Sequence, residues 1–201
     1  EQLNKLTFKQ FATMVAGQLV SGDAVGEMLA PNGKPSNLSP EQYRIVRTPE
    51  FKKWFGDSQV KDENGEPLVV YHGTTKYGGV TSFKKGKRGN IGPGIYFTND
   101  KDYAQSYADK YGKGNGQNIN VFVKIKNPFY VYGTEGAEAL ITKLYSKSIY
   151  ENRARKQSNP NYLVTSADIA KLKSIGYDGI VWAVKEGGEY KEYSVFEPNQ
   201  I

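Results

Sequence analysis

The chain has no cysteine and a single histidine, His72, among its 201 residues. Without cysteine there are no disulfides, thiolate nucleophiles or cysteine zinc sites, and the redox compartment stays open. One imidazole cannot supply a His–His metal pair or an H-E-x-x-H zincin, so no metal is expected and any step that requires imidazole falls to His72. The longest nearly apolar stretch, FATMVAGQLV, is far shorter than the roughly 20 residues of a membrane-spanning helix, so no membrane partner is expected. The chain begins at Glu1 with neither an initiator methionine nor a signal-like apolar core, as expected of a processed product or a piece of a longer chain. Localisation does not follow from it.

What is present describes one globular, monomeric domain. Hydrophobic residues make up 38% and charged residues 24%, and a chain of this size hides about 70% of its unfolded surface on folding. The net charge of +6 favours an anionic partner, whether nucleotide, nucleic acid or acidic protein surface.

Apolar residues at Leu3, Leu6, Phe11, Met14, Val15 and Leu19 recur at helical spacing, predicting a packing helix that stops near Gly22. The segment PNGKPSNLSP then acts as a linker, placing an N-terminal helical extension at 1–38 and the main domain at 39–201. Ser39 with Pro40 and Gln42, and Thr48 with Pro49, are two N-cap signals for two short helices within 40–55. DENGEP is a turn, and PLVVYHG a strand that ends at His72. Residues 76–94 hold four lysines, one arginine and six glycines, a composition that suits a mobile basic loop with a short strand near 80–83. GIYF reads as a strand, and Asn99 or Asp100 as the cap of a helix DKDYAQSYADK with Tyr103 and Tyr107 on one face.

INVFVKI alternates as a half-buried strand, 135–144 and 167–175 are helical, and ENRARKQSNPN between them reads as a basic loop. GIVWAV and YKEYSVF form a closing antiparallel hairpin. The pattern predicts an α+β fold with a mainly antiparallel sheet.

The candidate site residues each have an ordinary explanation. A glycine after His72 lets a ligand approach the backbone while imidazole bonds a hydroxyl, yet YHGT alone fits a structural histidine better. Tyr96 and Tyr107 can flank an electron-poor ring, but with 15 tyrosines most are core. Glu192 shares a strand face with Tyr190 and Ser194 and, by itself, reads as a solvated glutamate. The basic runs at 84–88 and 153–156 admit a nucleic-acid surface, though no nucleic-acid motif accompanies them.

Taken in order, YHGT at 71–74, GPGIYFTNDKDYAQSYA at 92–108 and KEYSVFEPNQI at 191–201 resemble the three motifs of the His-Tyr-Glu ADP-ribosyltransferases, the class of diphtheria toxin and the poly(ADP-ribose) polymerases. FKKWFGDSQVKDENGEPLVVYHGT, VKIKNPFYV, IGYDGIVW and VFEPNQI are similar to the transferase domains of phage polyvalent proteins and related bacterial effectors, over about residues 50–201. The resemblance implies a split antiparallel β-sandwich with NAD as co-substrate in the cleft between its sheets, and Glu192, His72 and Tyr96 as catalytic residues. His72 would bond the adenosine ribose and the Gly73 backbone the nicotinamide carboxamide, with Thr74 beside them; Tyr96 and Tyr107 would stack on the nicotinamide ring. Glu192 would bond the nicotinamide-ribose 2′-hydroxyl and steady the cation formed as the glycosidic bond breaks.

Two positions depart from the family's pattern. Ala104 stands where the polymerase branch has a serine, with Ser106 two residues on, and Tyr190 stands where arginine-directed toxins have Gln or Glu. Ala104 leaves the carboxamide more to Gly73, and Tyr190 speaks against arginine as the acceptor residue; with no regulatory helical domain read before the fold, the expectation is single ADP-ribose transfer to a macromolecular acceptor, a protein before a nucleic acid, by an effector or toxin of bacterial or phage origin. The alternatives are an NAD glycohydrolase, a nucleic-acid ADP-ribosyltransferase, or an inactive basic binding module.

Overall fold

In the computed structural model, the residues described are 27–75, 82–87, 89, 91–112, 116–133, 136–183 and 189–201. The predicted helix at 3–22 lies outside them. Six helices and six strands are present among them: α1 (Pro40–Arg47), α2 (Pro49–Phe55), β1 (Val70–Thr74), β2 (Ile95–Thr98), α3 (Lys101–Gly112), β3 (Gln117–Val121), β4 (Pro128–Tyr132), α4 (Gly136–Leu144), α5 (Lys147–Lys156), α6 (Ser166–Ser174), β5 (Gly179–Ala183) and β6 (Lys191–Val195).

Both predicted N-caps form. Ser39 and Gln42 close a capping box on α1, and the Thr48 hydroxyl accepts from Phe51 N while donating to the Ile45 carbonyl, ending one helix and starting the next. Caps of this kind are worth about 1 kcal/mol each. Leu38, Ile45, Val46, Phe51, Phe55 and Phe122 then make a small core of their own. Residues before Ser39 also bond to this region, Ser36 Oγ donating to Glu66 and Asn32 to Asn64.

The strands form one open, mixed sheet in the order β3-β1-β2-β6-β5-β4. All neighbours are antiparallel except β4 and β5. The fold is α+β with a mainly antiparallel sheet, as expected, the closing β5–β6 hairpin is in place, and one pair, β4 with β5, is parallel. Parallel neighbours need a long crossover, and here α4, α5 and α6 supply it. The ladder nearly lapses between β1 and β2, whose one paired position is Tyr71 with Thr98. One core draws Val70 and Val121 from β1 and β3 together with Ile95, Phe97, Val181, Tyr193 and Val195 from the other strands. A second packs Phe129, Val131 and Ile180 against Leu140, Ile141, Ile169 and Leu172 of α4 and α6. Burying a side chain such as Ile180 or Leu140 contributes about 2–3 kcal/mol.

Three local expectations change. ENRARK is the C-terminal part of α5, because Ser146 caps it and Arg153 points inward to pair with the buried Asp168 at 2.7 Å. INVFVKI leaves the sheet after Val121, where Phe122 and Val123 are both buried and alternation stops. β1 continues two residues past His72, so the histidine is mid-strand on the β3 side, opposite Ile119. The expected strand near 80–83 lies partly outside the described residues, and 82–87 carry none.

Candidate active site

The site is built where β1 and β2 part. After the pair Tyr71–Thr98, the next antiparallel partner of Tyr96 would be Gly73, but no such pair forms. The His72 ring takes the Tyr96 carbonyl instead, with Nδ1 at 2.7 Å. A carbonyl can only accept, so Nδ1 carries the proton and Nε2 keeps its lone pair as an acceptor. Phe83 meets the imidazole edge-on at 5.4 Å and Phe97 lies at 5.5 Å. Burial pushes the His72 pKa down, against a smaller opposing effect of the Tyr96 bond, so the ring is neutral near pH 7.

Helix α3 begins where the sequence indicated, with Asp100 Oδ1 accepting from Tyr103 N at 2.9 Å. Asn99 instead bonds across to Lys191 N and the Glu189 carbonyl, tying the end of β2 to the start of β6. Ala104 and Ala108, one turn apart, are the buried residues of α3. A Cβ at Gly73 would collide with the Ala104 carbonyl, and one at Gly116 with the Ala108 backbone. Gly73 is thus required for helix α3 to lie against β1, a packing role beside any ligand role. This small-residue contact leaves Tyr103, Tyr107 and Tyr111 exposed on α3, at 44%, 52% and 53%. Ser106 donates back to the Tyr103 carbonyl and so is taken up by its own helix.

Tyr96 fastens the preceding loop: its hydroxyl donates to the Gly92 carbonyl at 2.6 Å and accepts from Ile91 N. Gly89 packs against the hydroxyl end of its ring, where a Cβ would overlap it. Burial raises the Tyr96 pKa, keeping the phenol neutral.

Glu192 lies second in β6, between Thr98 of β2 and Trp182 of β5. It is buried, with 8% of its surface exposed. Tyr190 donates to its Oε1 at 2.7 Å. Burial raises the Glu192 pKa, and the phenols of Tyr190 and Tyr103 offset part of that rise. No ion pair reaches it among the described residues. The other two buried carboxylates each meet an arginine, Glu66 with Arg47 at 3.0 Å and Asp168 with Arg153 at 2.7 Å.

His72, Gly73, Tyr96, Tyr107 and Glu192 all line one cavity of about 380 Å³. Thr74 does not line it. The further lining residues, not placed in the site by sequence reasoning, include Tyr103, whose shared helical face with Tyr107 was a signal; Lys84, from the basic loop; and Asn161, for which no local signal exists. Among the described residues no group of three or more acidic or histidine side chains could hold a metal ion, and no helix is long and apolar enough to cross a membrane.

The sheet thus parts between β1 and β2 beside a cavity lined by the neutral His72 and by Glu192, a buried carboxylate that no arginine pairs among the described residues. Residues 62–201 match the model of a family described as ADP-ribosyltransferase in polyvalent proteins, and the chain belongs to that family. It is therefore an ADP-ribosyltransferase domain, with NAD as co-substrate. No curated protein and no solved structure matches the chain significantly.

Proposed function

We propose that the domain cleaves NAD at the nicotinamide glycosidic bond and transfers single ADP-ribose units to a macromolecular acceptor, a protein before a nucleic acid. The observation that carries this reading is the state of Glu192, a buried carboxylate bonded by the Tyr190 phenol and left without a cation among the described residues. An oxocarbenium-like transition state gains most from a preorganised anion facing the growing charge. Stabilisation of this kind is worth about 3 kcal/mol, or about 10²-fold in rate.

The C1′–N bond breaks with its electron pair going to nicotinamide, which leaves as a neutral base and needs no protonating acid. The acceptor's nucleophile then bonds C1′ and loses its proton. Glu192 bonds the 2′-hydroxyl and steadies the cation. Nε2 of His72 accepts from a hydroxyl of the adenosine ribose. Tyr96 and Tyr107 flank the nicotinamide ring, and the Gly73 backbone holds its carboxamide. Lys84, next to the Phe83 that packs on His72, faces the pyrophosphate.

The binding-module reading loses one of its basic features, since Arg153 is drawn into an ion pair with Asp168. The test is nicotinamide release from NAD by mass spectrometry, with and without cell lysate, for the parent and Glu192→Gln. Release that needs lysate and falls about 10²-fold in the variant is the expected result. Equal release without lysate would assign hydrolysis, and acid-resistant ladders on a gel would replace single transfer with polymer growth. Inert protein that NAD does not stabilise against heat would return the binding module.

A further inference from the structure

Strand alternation puts residues 190 and 192 on one face, but it does not fix where the Tyr190 ring goes. That is decided by two other elements. Trp182 of β5 meets the ring edge-on with centroids 5.9 Å apart, and Tyr103 of α3 meets it edge-on at 5.4 Å. Asn99 holds the backbone at the strand's start, bonding Lys191 N and the Glu189 carbonyl on either side of Tyr190.

We propose that Tyr190 is a positioning residue for Glu192: its clamped ring presents the hydroxyl to Oε1 at 2.7 Å and holds the carboxylate in the orientation that faces the cavity. The inference rests on the reading of Glu192 as the group that faces the reacting sugar. A glutamate has three side-chain torsions, and a reacting group left free to wander loses the geometry on which its electrostatic effect depends. An ionised carboxylate has about four acceptor sites. A single phenol on Oε1 leaves it room for a ribose hydroxyl, whereas a bidentate arginine would neutralise it.

The titratable groups around Glu192 are Tyr96 from β2, Tyr103 and Tyr107 from α3, and Tyr190 from β6. All are phenols whose pKa is raised, chiefly by burial, so all are neutral donors near pH 7. Lys84 lines the same cavity without an ion pair to Glu192. Removing the Tyr190 donor therefore leaves burial less opposed and makes Glu192 harder to ionise.

Tyr190→Phe keeps the ring and removes only the hydroxyl, so a purely packing role predicts no change. If Tyr190 positions Glu192, kcat for nicotinamide release falls about tenfold, KM for NAD changes by less than about threefold, and the acid limb of the pH–rate profile moves up. In parallel, the Glu192 carboxyl is followed by ¹³C NMR in glutamate-labelled protein, its signal assigned by its loss in Glu192→Gln. Its titration midpoint rises by about one pH unit in Tyr190→Phe. An unchanged midpoint with parental kcat overturns the proposal. So does a joint loss of kcat, NAD-induced stabilisation and melting temperature, which would make Tyr190 a structural support. If the parent releases no nicotinamide, the turnover reading fails, while the NMR midpoint still decides whether Tyr190 holds Glu192.

Discussion

Asp168 and Glu192 are both buried carboxylates, yet their surroundings move their pKa values in opposite directions. Around Asp168, burial is outweighed by the Arg153 guanidinium and by Thr165, so its pKa is lowered. Thr165 N and Oγ1 each donate to Oδ2 at 2.8 Å, and Arg153 bonds both carboxylate oxygens. The result is a saturated, neutralised joint between α5 and α6. Around Glu192 the donors are neutral, burial wins, and the pKa is raised. Its charge is held but not cancelled, which is what a carboxylate requires to stabilise a cation that appears only in the transition state. Burial depth alone does not distinguish the two; an arginine does.

Replacing Glu192 with glutamine should have the largest effect on this comparison, with nicotinamide release falling about 10²-fold. The same change should raise the melting temperature by about 2 °C. Because the folded-state pKa of Glu192 lies above its ordinary 4.5, the ionised group opposes folding once pH has risen through that pKa, and the amide removes the penalty. A fall in melting temperature measured by calorimetry would contradict this.

Arg153→Ala should act in the reverse sense, lowering stability by about 2 kcal/mol through an unpaired buried carboxylate, with little effect on KM for NAD. Because the Asp168 pKa lies below its ordinary 3.8, the stability it contributes is fully present above that value and is lost as pH falls through the folded-state pKa. Acid unfolding of the parent and Arg153→Ala should therefore converge at low pH, and parallel curves would reject the account.

Lys84→Gln should raise KM for NAD about fivefold with kcat nearly unchanged, and added salt should shrink the difference. His72 gives the smallest signal. Its pKa is below 6.5, so Nε2 remains an acceptor above that pH and KM should be flat from there to pH 8, rising only in more acidic buffer. A KM that climbs already near pH 7 would show the ring to be protonated there.

Much of the site was legible from order and alternation. The three motifs bring His72, Gly73, Tyr96, Tyr107 and Glu192 to one cavity, and the period-two rule placed Tyr190 beside Glu192. Thr74, in the same motif as His72, stays off the cavity wall. The caps at Ser39, Thr48 and Asp100 were readable because each acts within three residues of itself. Helix α5 was not readable, since it has no fully buried residue; what anchors it is Tyr150 packed on the core and the Arg153 ion pair to α6. β4 escaped notice because its partner is a parallel strand reached through three helices.

The amino-acid sequence by itself determined the caps, the strand faces, the lone imidazole and the order of the motifs, because each depends on neighbours a few positions away. Only the tertiary structure decided that β1 and β2 part just beyond Tyr71, so that a side chain of one strand takes a backbone carbonyl of the other. It also decided which buried carboxylate receives an arginine and which a phenol. Desolvation and charge pairing depend on what distant segments bring to a point in space, and for Glu192 those segments are β5, α3 and the turn before β6.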